Sequence, residues 1–311
     1  MALKVAIYHK SVPNSKNQEK IDILVNYSQG VKVSGDHAID VYDHNVVPAD
    51  VGVIQGWCVP GAPPSSLHTQ LRTNVIQRIA NRHSVGVDSN LFLYATPNNP
   101  QHYLRYSFND VFPTYGIYCD TEIDPTRWNK LSSNLGIHLK DYRTTGDHIL
   151  LLLQRNGGWS MGGYDVQDWA ISTIDAIRQF TDRPIVIRPH PGDKASRTYL
   201  NPNSHHCKIK FSKRVRLSTN SNLLDDLRNC WAAVNYNSSP VVGAAIEGYP
   251  IFVSDPLNSQ CAEIANSDFS QIENPQLPNR QSWVERLAMF HWNFDELRSG
   301  ECWQHMKKFI L

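Results

Sequence analysis

The chain has 311 residues, a formal net charge of +1 and a hydrophobic fraction of 41%. That length exceeds the usual size of a single hydrophobic core, so two domains of about 150 residues are expected. The small net charge excludes a global attraction to nucleic acid but leaves room for a local basic groove. No run of about 18 apolar residues occurs, and the first residues form no signal-peptide pattern, so we expect a cytoplasmic protein with no membrane partner.

Cysteines and carboxylates give no sign of a metal centre. The six cysteines show no Cys-x-x-Cys spacing, so reduced thiols are expected rather than a disulfide framework or a zinc site. Asp120, Glu122 and Asp124 alternate, but Pro125 follows them, which is typical of a turn and a helix start. We therefore expect neither a metal nor a cofactor.

The first half of the chain alternates strands and helices, as in an α/β domain. Apolar runs predict the strands, and a three-four spacing of apolar residues predicts the helices. The strands are expected at Leu3–Tyr8, Ala38–Tyr42, Val51–Trp57 and Val85–Asp88, and the helices at Asn17–Gln29, Ser66–Arg82 and Pro125–Leu135. This alternation predicts a doubly wound, Rossmann-like parallel sheet.

The same pattern restarts after a polar segment, which predicts a domain boundary. His148–Leu153 is a new apolar strand, and the glycine-rich loop Gln154–Gly163 leads from it into an amphipathic helix. Residues 1–145 are therefore expected to form an N-terminal Rossmann-like domain and residues 146–280 a C-terminal Rossmann-like domain. Residues 281–311 are expected to form a helical tail that returns to the N-terminal domain.

The glycine-rich loop contains a candidate ligand contact. It matches neither a Walker loop nor a Gly-x-Gly-x-x-Gly fingerprint. Gly157 and Gly158 nevertheless permit close approach of a ligand to the backbone, which favours a diphosphate or an acceptor there. A surface loop without a ligand is the alternative.

A second candidate contact lies between Asn235 and Val253. Ser239 is placed to cap a helix that starts at Pro240 and ends at Gly248, and Ser238 lies beside it. Unpaired amides at such a helix start attract phosphate. Arg188 and His190, in the segment Arg188-Pro-His-Pro191, end another apolar run and would supply a cation and an imidazole. Simple helix capping is the alternative.

Four cations occupy even positions in a third segment. Lys208, Lys210, Arg214 and Arg216 alternate with apolar residues, so an extended chain would place them on one face. They are candidates for contact with an acceptor or a polynucleotide. A solvated strand face is the alternative.

These motifs together resemble glycosyltransferases of the GT-B fold, in particular polysialyl-, Kdo- and glycerophosphate-type transferases with His-Pro and Ser-Ser motifs. The resemblance implies that His190, Ser238 and Ser239 hold the phosphates of a nucleotide-sugar, first of all a UDP-sugar. It implies further that Glu247 binds the ribose hydroxyls, that residues 1–145 hold the acceptor and that residues 146–280 hold the nucleotide-sugar donor. The tail Trp283–Trp303 is similar to the end of phage-encoded glycosyltransferases, whose relatives modify hydroxymethylated bases in phage DNA. By that likeness the acceptor would be a 5-hydroxymethylpyrimidine in DNA, and the location would be the host cytoplasm.

Glycosyl transfer also needs a base for the acceptor hydroxyl. Asp88 is the first candidate because it ends a predicted strand, and His9, Asp43 and His44 hold comparable positions. Three other functions compete: a saccharide-directed glycosyltransferase, a sugar-nucleotide epimerase of the same fold, and a non-catalytic DNA-binding protein. A serine or cysteine hydrolase is not favoured, since no Gly-x-Ser-x-Gly occurs.

Overall fold

The chain divides into two compact α/β units. The computed structural model describes residues 2–13, 18–58, 66–78, 83–94 and 99–310. Unit 1 comprises Met1–Asn90, Asn98–Leu135 and Val284–Leu311, and unit 2 comprises Leu91–Pro97 and Gly136–Trp283. Among the described helices, none has the length and apolar content needed to cross a bilayer.

Unit 1 contains a six-stranded sheet. Its strands are β1 (Lys4–Tyr8), β2 (His37–Val41), β3 (Val51–Gln55), β4 (His83–Asp88), β5 (Leu104–Phe108) and β11 (His291–Trp292), in the spatial order β11-β5-β4-β3-β1-β2. Its helices are α1 (Gln18–Val33), α2 (Leu67–Arg78), α3 (Pro125–Leu135), α8 (Gln281–Met289), α9 (Phe294–Arg298) and α10 (Glu301–Met306), although α8 begins in the last residues of unit 2. β1 to β4 are parallel, whereas β5 and β11 are antiparallel to their neighbours.

Unit 2 contains a five-stranded sheet that is parallel throughout. Its strands are β6 (His148–Leu152), β7 (Ile185–Arg188), β8 (Val215–Leu217), β9 (Cys230–Asn235) and β10 (Ile251–Val253), in the order β10-β9-β6-β7-β8. Its helices are α4 (Val166–Arg178), α5 (Ser196–Tyr199), α6 (Leu223–Leu227) and α7 (Pro240–Ile246). Because every strand is parallel, all the carboxyl ends meet at one edge of the sheet, where ligands of such folds bind.

Each unit has a core on its own sheet. Apolar side chains of β1, β3 and β4 pack with the last helices of the chain, including Trp303 and Met306. In unit 2 the apolar stripe of α4 covers β6, β7 and β9, with Trp169 and Ile174 among the contacts. The predicted class, α/β with two Rossmann-like units, is therefore confirmed by two separate sheets with separate cores.

Several local predictions differ from the structure. The chain from 208 to 217 is not one extended strand: only Val215–Leu217 is a strand, and reciprocal backbone hydrogen bonds between Ser212 and Val215 form a tight turn before it. The first sheet is mixed rather than wholly parallel. Residues 79–82 of the predicted helix Ser66–Arg82 lie outside the described residues.

Candidate functional site

The carboxyl edge of the unit 2 sheet brings together three loops that carry the predicted donor residues. Gln154–Asp165 follows β6, Pro189–Asp193 follows β7, and Tyr236–Ser239 follows β9. The carboxyl ends of β7 and β9, which precede His190 and Ser238, are not adjacent, because β6 lies between them. With about 4.8 Å between strands, their axes are about 10 Å apart, so the loop after β6 fills the middle of the edge.

The glycine-rich loop turns sharply at Gly157. The Gly158 amide donates to the Arg155 carbonyl at 3.0 Å, and Gly157 has a φ of +68°, which favours glycine. No heavy atom lies within 4 Å of the place where a Cβ on Gly157 would stand. Asn156 fixes the turn, since its Oδ1 accepts from the Gly157 and Val166 amides at 3.0 and 3.2 Å. Backbone at this turn is thus held in place and open to a ligand.

His190 is held as a neutral imidazole in the loop after β7. Burial lowers the pKa of His190 below the ordinary value of 6.5, the charge of Arg155 acts in the same direction, and Asp193 opposes them. The Gly192 amide donates to Nδ1 at 3.0 Å, so Nδ1 carries the lone pair and Nε2 carries the hydrogen. Nε2–H is therefore a donor that can bind an oxyanion without a change of protonation.

Asp193 joins this loop to the glycine-rich loop. Its buried carboxylate accepts from the Asn156 amide at 2.9 Å and from the Tyr199 hydroxyl at 2.6 Å. Burial would raise the pKa of Asp193, but the hydrogen bonds from the Tyr199 hydroxyl and from the amides of Asn156, Ala195 and Ser196 lower it below its ordinary value. His190 and Gly157 therefore stand on loops that are fastened to each other.

The Ser238-Ser239-Pro240 segment starts a helix, as predicted, but without a side-chain cap. Ser239 holds the N-cap position with helical φ and ψ of −59° and −31°, and its hydroxyl makes no capping hydrogen bond. Instead Asn235 donates through Nδ2 to the carbonyl and the hydroxyl of Ser238, at 2.7 and 3.0 Å. Ser239 thus holds the predicted N-cap position, and because its hydroxyl makes no capping bond, no such bond has to break before it binds a ligand.

Two buried asparagines next to these serines retain unused acceptors. Asn237 accepts nothing through Oδ1, while its Nδ2 donates to the Ser160 carbonyl at 3.2 Å and to Asp255 at 2.9 Å. The Oδ1 of Asn235 also has no hydrogen-bond partner among the described residues, although Asn235 is fully buried. An unpaired buried acceptor costs about 1–3 kcal/mol, so both amides favour a ligand that brings N–H or O–H donors.

Arg188 and Arg155 have different surroundings. The Arg188 guanidinium binds the buried carboxylate of Asp226 and three backbone carbonyls of residues 220–222, at 3.0–3.2 Å. The role of Arg188 as a phosphate ligand stays a prediction. To bind a phosphate, the guanidinium would have to give up some of these hydrogen bonds. Arg155, which sequence reasoning missed, is exposed on the glycine-rich loop and makes no ion pair with the described residues.

Glu247 lies at the end of α7, and both of its carboxylate oxygens accept hydrogen bonds. Its Oε1 accepts from the Tyr94 hydroxyl at 3.3 Å and its Oε2 from Lys140 Nζ at 2.5 Å, and the side chain is 12% exposed. Burial and the charge of Glu247 raise the pKa of Tyr94, which keeps this hydroxyl protonated. Each carboxylate oxygen has a further lone pair, so the predicted contact with ribose hydroxyls remains open to test.

The four predicted cations do not lie on one extended strand. Lys208 binds Asp168 on α4 at 2.8 Å and Arg214 binds Asp182, while Lys210 is exposed. Arg216 lines a cavity of about 370 Å³ beside β8 with residues that precede β6, β7 and β9, namely Asp147, Pro184 and Asn229. Their contact with an acceptor or a polynucleotide stays a prediction, but the extended strand that motivated it is absent.

Asp88, the predicted base in unit 1, is engaged in an ion pair. It ends β4 and accepts from Arg105 on the neighbouring strand β5. Burial alone would raise the pKa of Asp88, but the charge and hydrogen bond of Arg105, with the Ser89 amide and Arg72, hold it below the ordinary value of 3.8. A carboxylate stabilised in this way is a weak base.

His9 has a geometry better suited to proton transfer. It follows β1, and its Nε2 lies 2.9 Å from Oδ1 of Asp40, whose other oxygen accepts from Ser28 and Lys32 at 3.0 and 2.8 Å. Hydrogen bonds from Lys32, His9 and Ser28 lower the pKa of Asp40, although burial opposes them. Because an ionised carboxylate only accepts, the hydrogen of neutral His9 lies on Nε2 and Nδ1 keeps a lone pair.

The other base candidates are more exposed. Asp43 accepts from the amide and the side chain of Asn45, at 2.9 and 3.0 Å, and these bonds lower its pKa. His44 is exposed. Tyr42 stacks on the His9 ring with 4.3 Å between centroids and is itself 66% exposed, so it offers a flat face beside the imidazole.

Comparisons with known proteins were made on sequence and on structure. No protein-family model matches the chain, and no curated protein matches it. The solved structures that it resembles include KpsC, beta Kdo 2,4 transferase, of Thermosulfurimonas dismutans, with a TM-score of 0.49 and 10% identity over 93% of this chain and 98% of that chain. The UDP-GlcNAc 2-epimerase of Methanocaldococcus jannaschii, in complex with UDP-GlcNAc and UDP, has a TM-score of 0.37 and 12% identity over 99% and 100% of the two chains. The glycosyltransferase SnogD of Streptomyces nogalater has a TM-score of 0.30 and 12% identity over 100% and 99%.

Proposed function

We propose that this chain is a metal-independent glycosyltransferase that takes a sugar from a nucleotide-sugar, with a UDP-sugar as the first donor to test. The observation that carries the proposal is the carboxyl edge of the unit 2 sheet. There an open glycine turn, a neutral imidazole donor, a free arginine and a serine pair stand on three neighbouring loops. Two buried amide oxygens beside them lack donors.

A diphosphate leaving group needs donors and positive charge. In the proposal His190 donates through Nε2–H, Arg155 supplies the charge, and amides near Gly157 and the Ser238–Ser239 start of α7 supply backbone donors. Arg155 takes the role that the sequence pattern gave to Arg188. Sugar hydroxyls or base N–H groups would satisfy Oδ1 of Asn235 and Asn237.

The base is proposed to come from unit 1. His9 is placed first, because Asp40 fixes its tautomer and leaves Nδ1 as the proton acceptor. Asp88, the candidate from the sequence pattern, is placed second because Arg105 already stabilises its charge. A positioned general base contributes about 10²–10⁴-fold in rate, so the two assignments are easily separated by turnover.

The acceptor proposed for the first assay is a 5-hydroxymethylpyrimidine in DNA. The support is the resemblance of the tail 283–303 and the exposed ring of Tyr42 beside His9, on which an extruded base can stack. A saccharide acceptor is the alternative. Mass spectrometry of nucleosides, after modified DNA is incubated with a panel of donors, separates them: no added sugar mass on DNA while a saccharide acceptor is consumed refutes the DNA acceptor.

The donor is tested first, by thermal unfolding with UDP, GDP, CMP, ADP and their sugars. A ligand at about 100 times its dissociation constant stabilises the fold by about 2.7 kcal/mol, which is readily measured. If no nucleotide shifts the unfolding temperature, the proposed function fails. Product formed from a UDP-sugar without an acceptor would identify an epimerase instead, and salt-sensitive DNA binding with no nucleotide effect would identify a DNA-binding protein.

A further inference from the structure

A half-buried arginine at the carboxyl edge of the unit 1 sheet has no carboxylate partner among the described residues. Arg72, on α2, donates through Nε to the Ser11 carbonyl at 3.0 Å and through Nη1 to the Trp57 carbonyl at 3.5 Å. Ser11 follows β1 and Trp57 follows β3, so the guanidinium lies where two parallel strands end. This is the edge at which parallel sheets bind ligands.

No ion pair among the described residues neutralises the charge of Arg72. No carboxylate among the described residues forms an ion pair with it, and the carboxylate that acts on it through space, Asp88, is bound by Arg105. The residues outside the described ranges contain no Asp or Glu. Burial lowers the pKa of Arg72, which records the cost of keeping this cation away from water.

The surroundings leave part of the guanidinium available. Gly56, with a φ of +80°, lies against it so closely that a Cβ there would stand 2.9 Å from Cζ, Nη1 and Nη2 of Arg72. One face is therefore covered by backbone, while Nη2 has no acceptor among the described residues. The guanidinium is planar, has N–H groups without an acceptor among the described residues and carries a positive charge without a paired carboxylate there. These features fit an oxyanion bound through two oxygens.

We propose that Arg72 binds an oxyanion of the acceptor, a phosphate or a carboxylate, and that the acceptor is therefore an anionic molecule. This inference rests on the proposed function, in which unit 1 holds the acceptor. It makes Arg72 a specificity-determining residue. Uncharged sugars would leave the guanidinium unpaired and would be poor acceptors.

The test uses inorganic phosphate and acetate as probes on the full chain saturated with UDP, so that the donor site is filled. Thermal unfolding and calorimetry are run against sodium chloride at matched ionic strength. Phosphate or acetate is expected to stabilise the wild type, and the better of the two identifies the anionic group. Arg72→Gln is expected to lose the effect. The matched control is Arg228→Gln, in which an exposed arginine of unit 2 is removed, and it is expected to keep the effect.

Arg72→Lys keeps the charge but loses the bidentate fork, so it is expected to weaken affinity for the anion about tenfold, and it serves as the second variant if Arg72→Gln does not fold. Anion binding that is absent in the wild type, or equal in both Arg72 variants and the wild type, overturns the proposal. UDP binding is measured by the same calorimetry. If UDP fails to bind, the proposed function fails, whereas normal UDP binding without an anion effect refutes only the role of Arg72.

Discussion

The Gly192 amide donates a hydrogen bond to Nδ1 of His190 at 3.0 Å. This bond fixes the tautomer of an imidazole whose pKa burial has already lowered. The ring can therefore donate from Nε2 at neutral pH, and an uncharged donor costs less to keep at a half-buried site than a cation. The first predictions concern what this donor and its neighbours bind.

Replacing His190 by Ala should weaken UDP binding by about 1–3 kcal/mol, since one hydrogen bond to a charged oxygen is lost. Ser239→Ala should have an effect of similar size. Calorimetry with UDP measures both. His205→Ala removes an exposed histidine of the same unit and should bind as the wild type does. Wild-type affinity in a folded His190→Ala, Ser239→Ala double variant would contradict the donor site.

Arg155→Gln and Arg188→Gln should separate binding from stability. Arg155 is exposed and unpaired among the described residues, so its loss should weaken UDP binding without changing the free energy of unfolding. Arg188 neutralises the buried Asp226, and removing one partner of such a pair costs about 3–5 kcal/mol. Urea unfolding and UDP calorimetry on both variants measure the two effects. A stable Arg188→Gln that loses UDP affinity would restore the assignment made from the sequence.

His9→Gln and Asp88→Asn should separate the two base candidates. His9→Gln should lower kcat about 10²–10⁴-fold with little change in donor affinity. Asp88→Asn leaves the buried Arg105 without its counter-charge, so it should lower the stability by about 3 kcal/mol while the folded fraction turns over within about threefold of wild type. The opposite result, full activity in His9→Gln and loss of turnover in a stable Asp88→Asn, would assign the base to Asp88.

The stability of the protein should fall as the pH decreases from about 6.5, because of His291. This histidine is fully buried and donates through Nδ1 to the Leu287 carbonyl, and burial lowers its pKa from 6.5 to about 3. The unfolded chain therefore binds a proton at a higher pH than the folded chain does. The stabilisation is complete above about pH 6.5 and is lost progressively toward pH 3, by about 2 kcal/mol between pH 7 and pH 5.

Urea unfolding at pH 7, 6 and 5 measures this slope, in a range where the carboxylates with lowered pKa values remain ionised. His83, His148 and His305 also have pKa values lowered by burial, so they add to the slope in the same direction. His291→Asn should reduce the slope by about 1 kcal/mol per pH unit, whereas the exposed His37→Asn should leave it unchanged. If the free energy of unfolding changes equally with pH in the wild type, His291→Asn and His37→Asn, this role of His291 is excluded.

The sequence predicts much of the secondary structure because apolar runs and caps are local signals. Pro125–Leu135 forms the expected helix, and the strand ending at Asn235 lies where the apolar run predicts it. What the sequence does not reveal is the strand order, which depends on crossovers. Consequently the sequence does not show that β6 lies between the carboxyl ends of β7 and β9.

Side-chain roles at the site were harder to predict for the same reason. The partner of Arg188 is Asp226, which is 38 positions away in the chain and becomes a neighbour only when β8 and α6 are in place. The one local signal that could have revealed more is the polar pair Asn235 and Asn237 at the end of a buried run. Asparagine there is costly without hydrogen bonds, which is a reason to suspect a ligand.

The first sheet is completed by residues from the far end of the chain. β11 pairs with β5, Trp303 packs on Tyr27 with 6.2 Å between ring centroids, and the indole of Trp303 donates to Asp36 at 2.7 Å. During synthesis, unit 1 therefore emerges first from the ribosome but cannot close its core until the last helices have been made. Unit 2, which is nearly continuous in sequence, is complete before those helices are made, so we expect it to fold before unit 1 does.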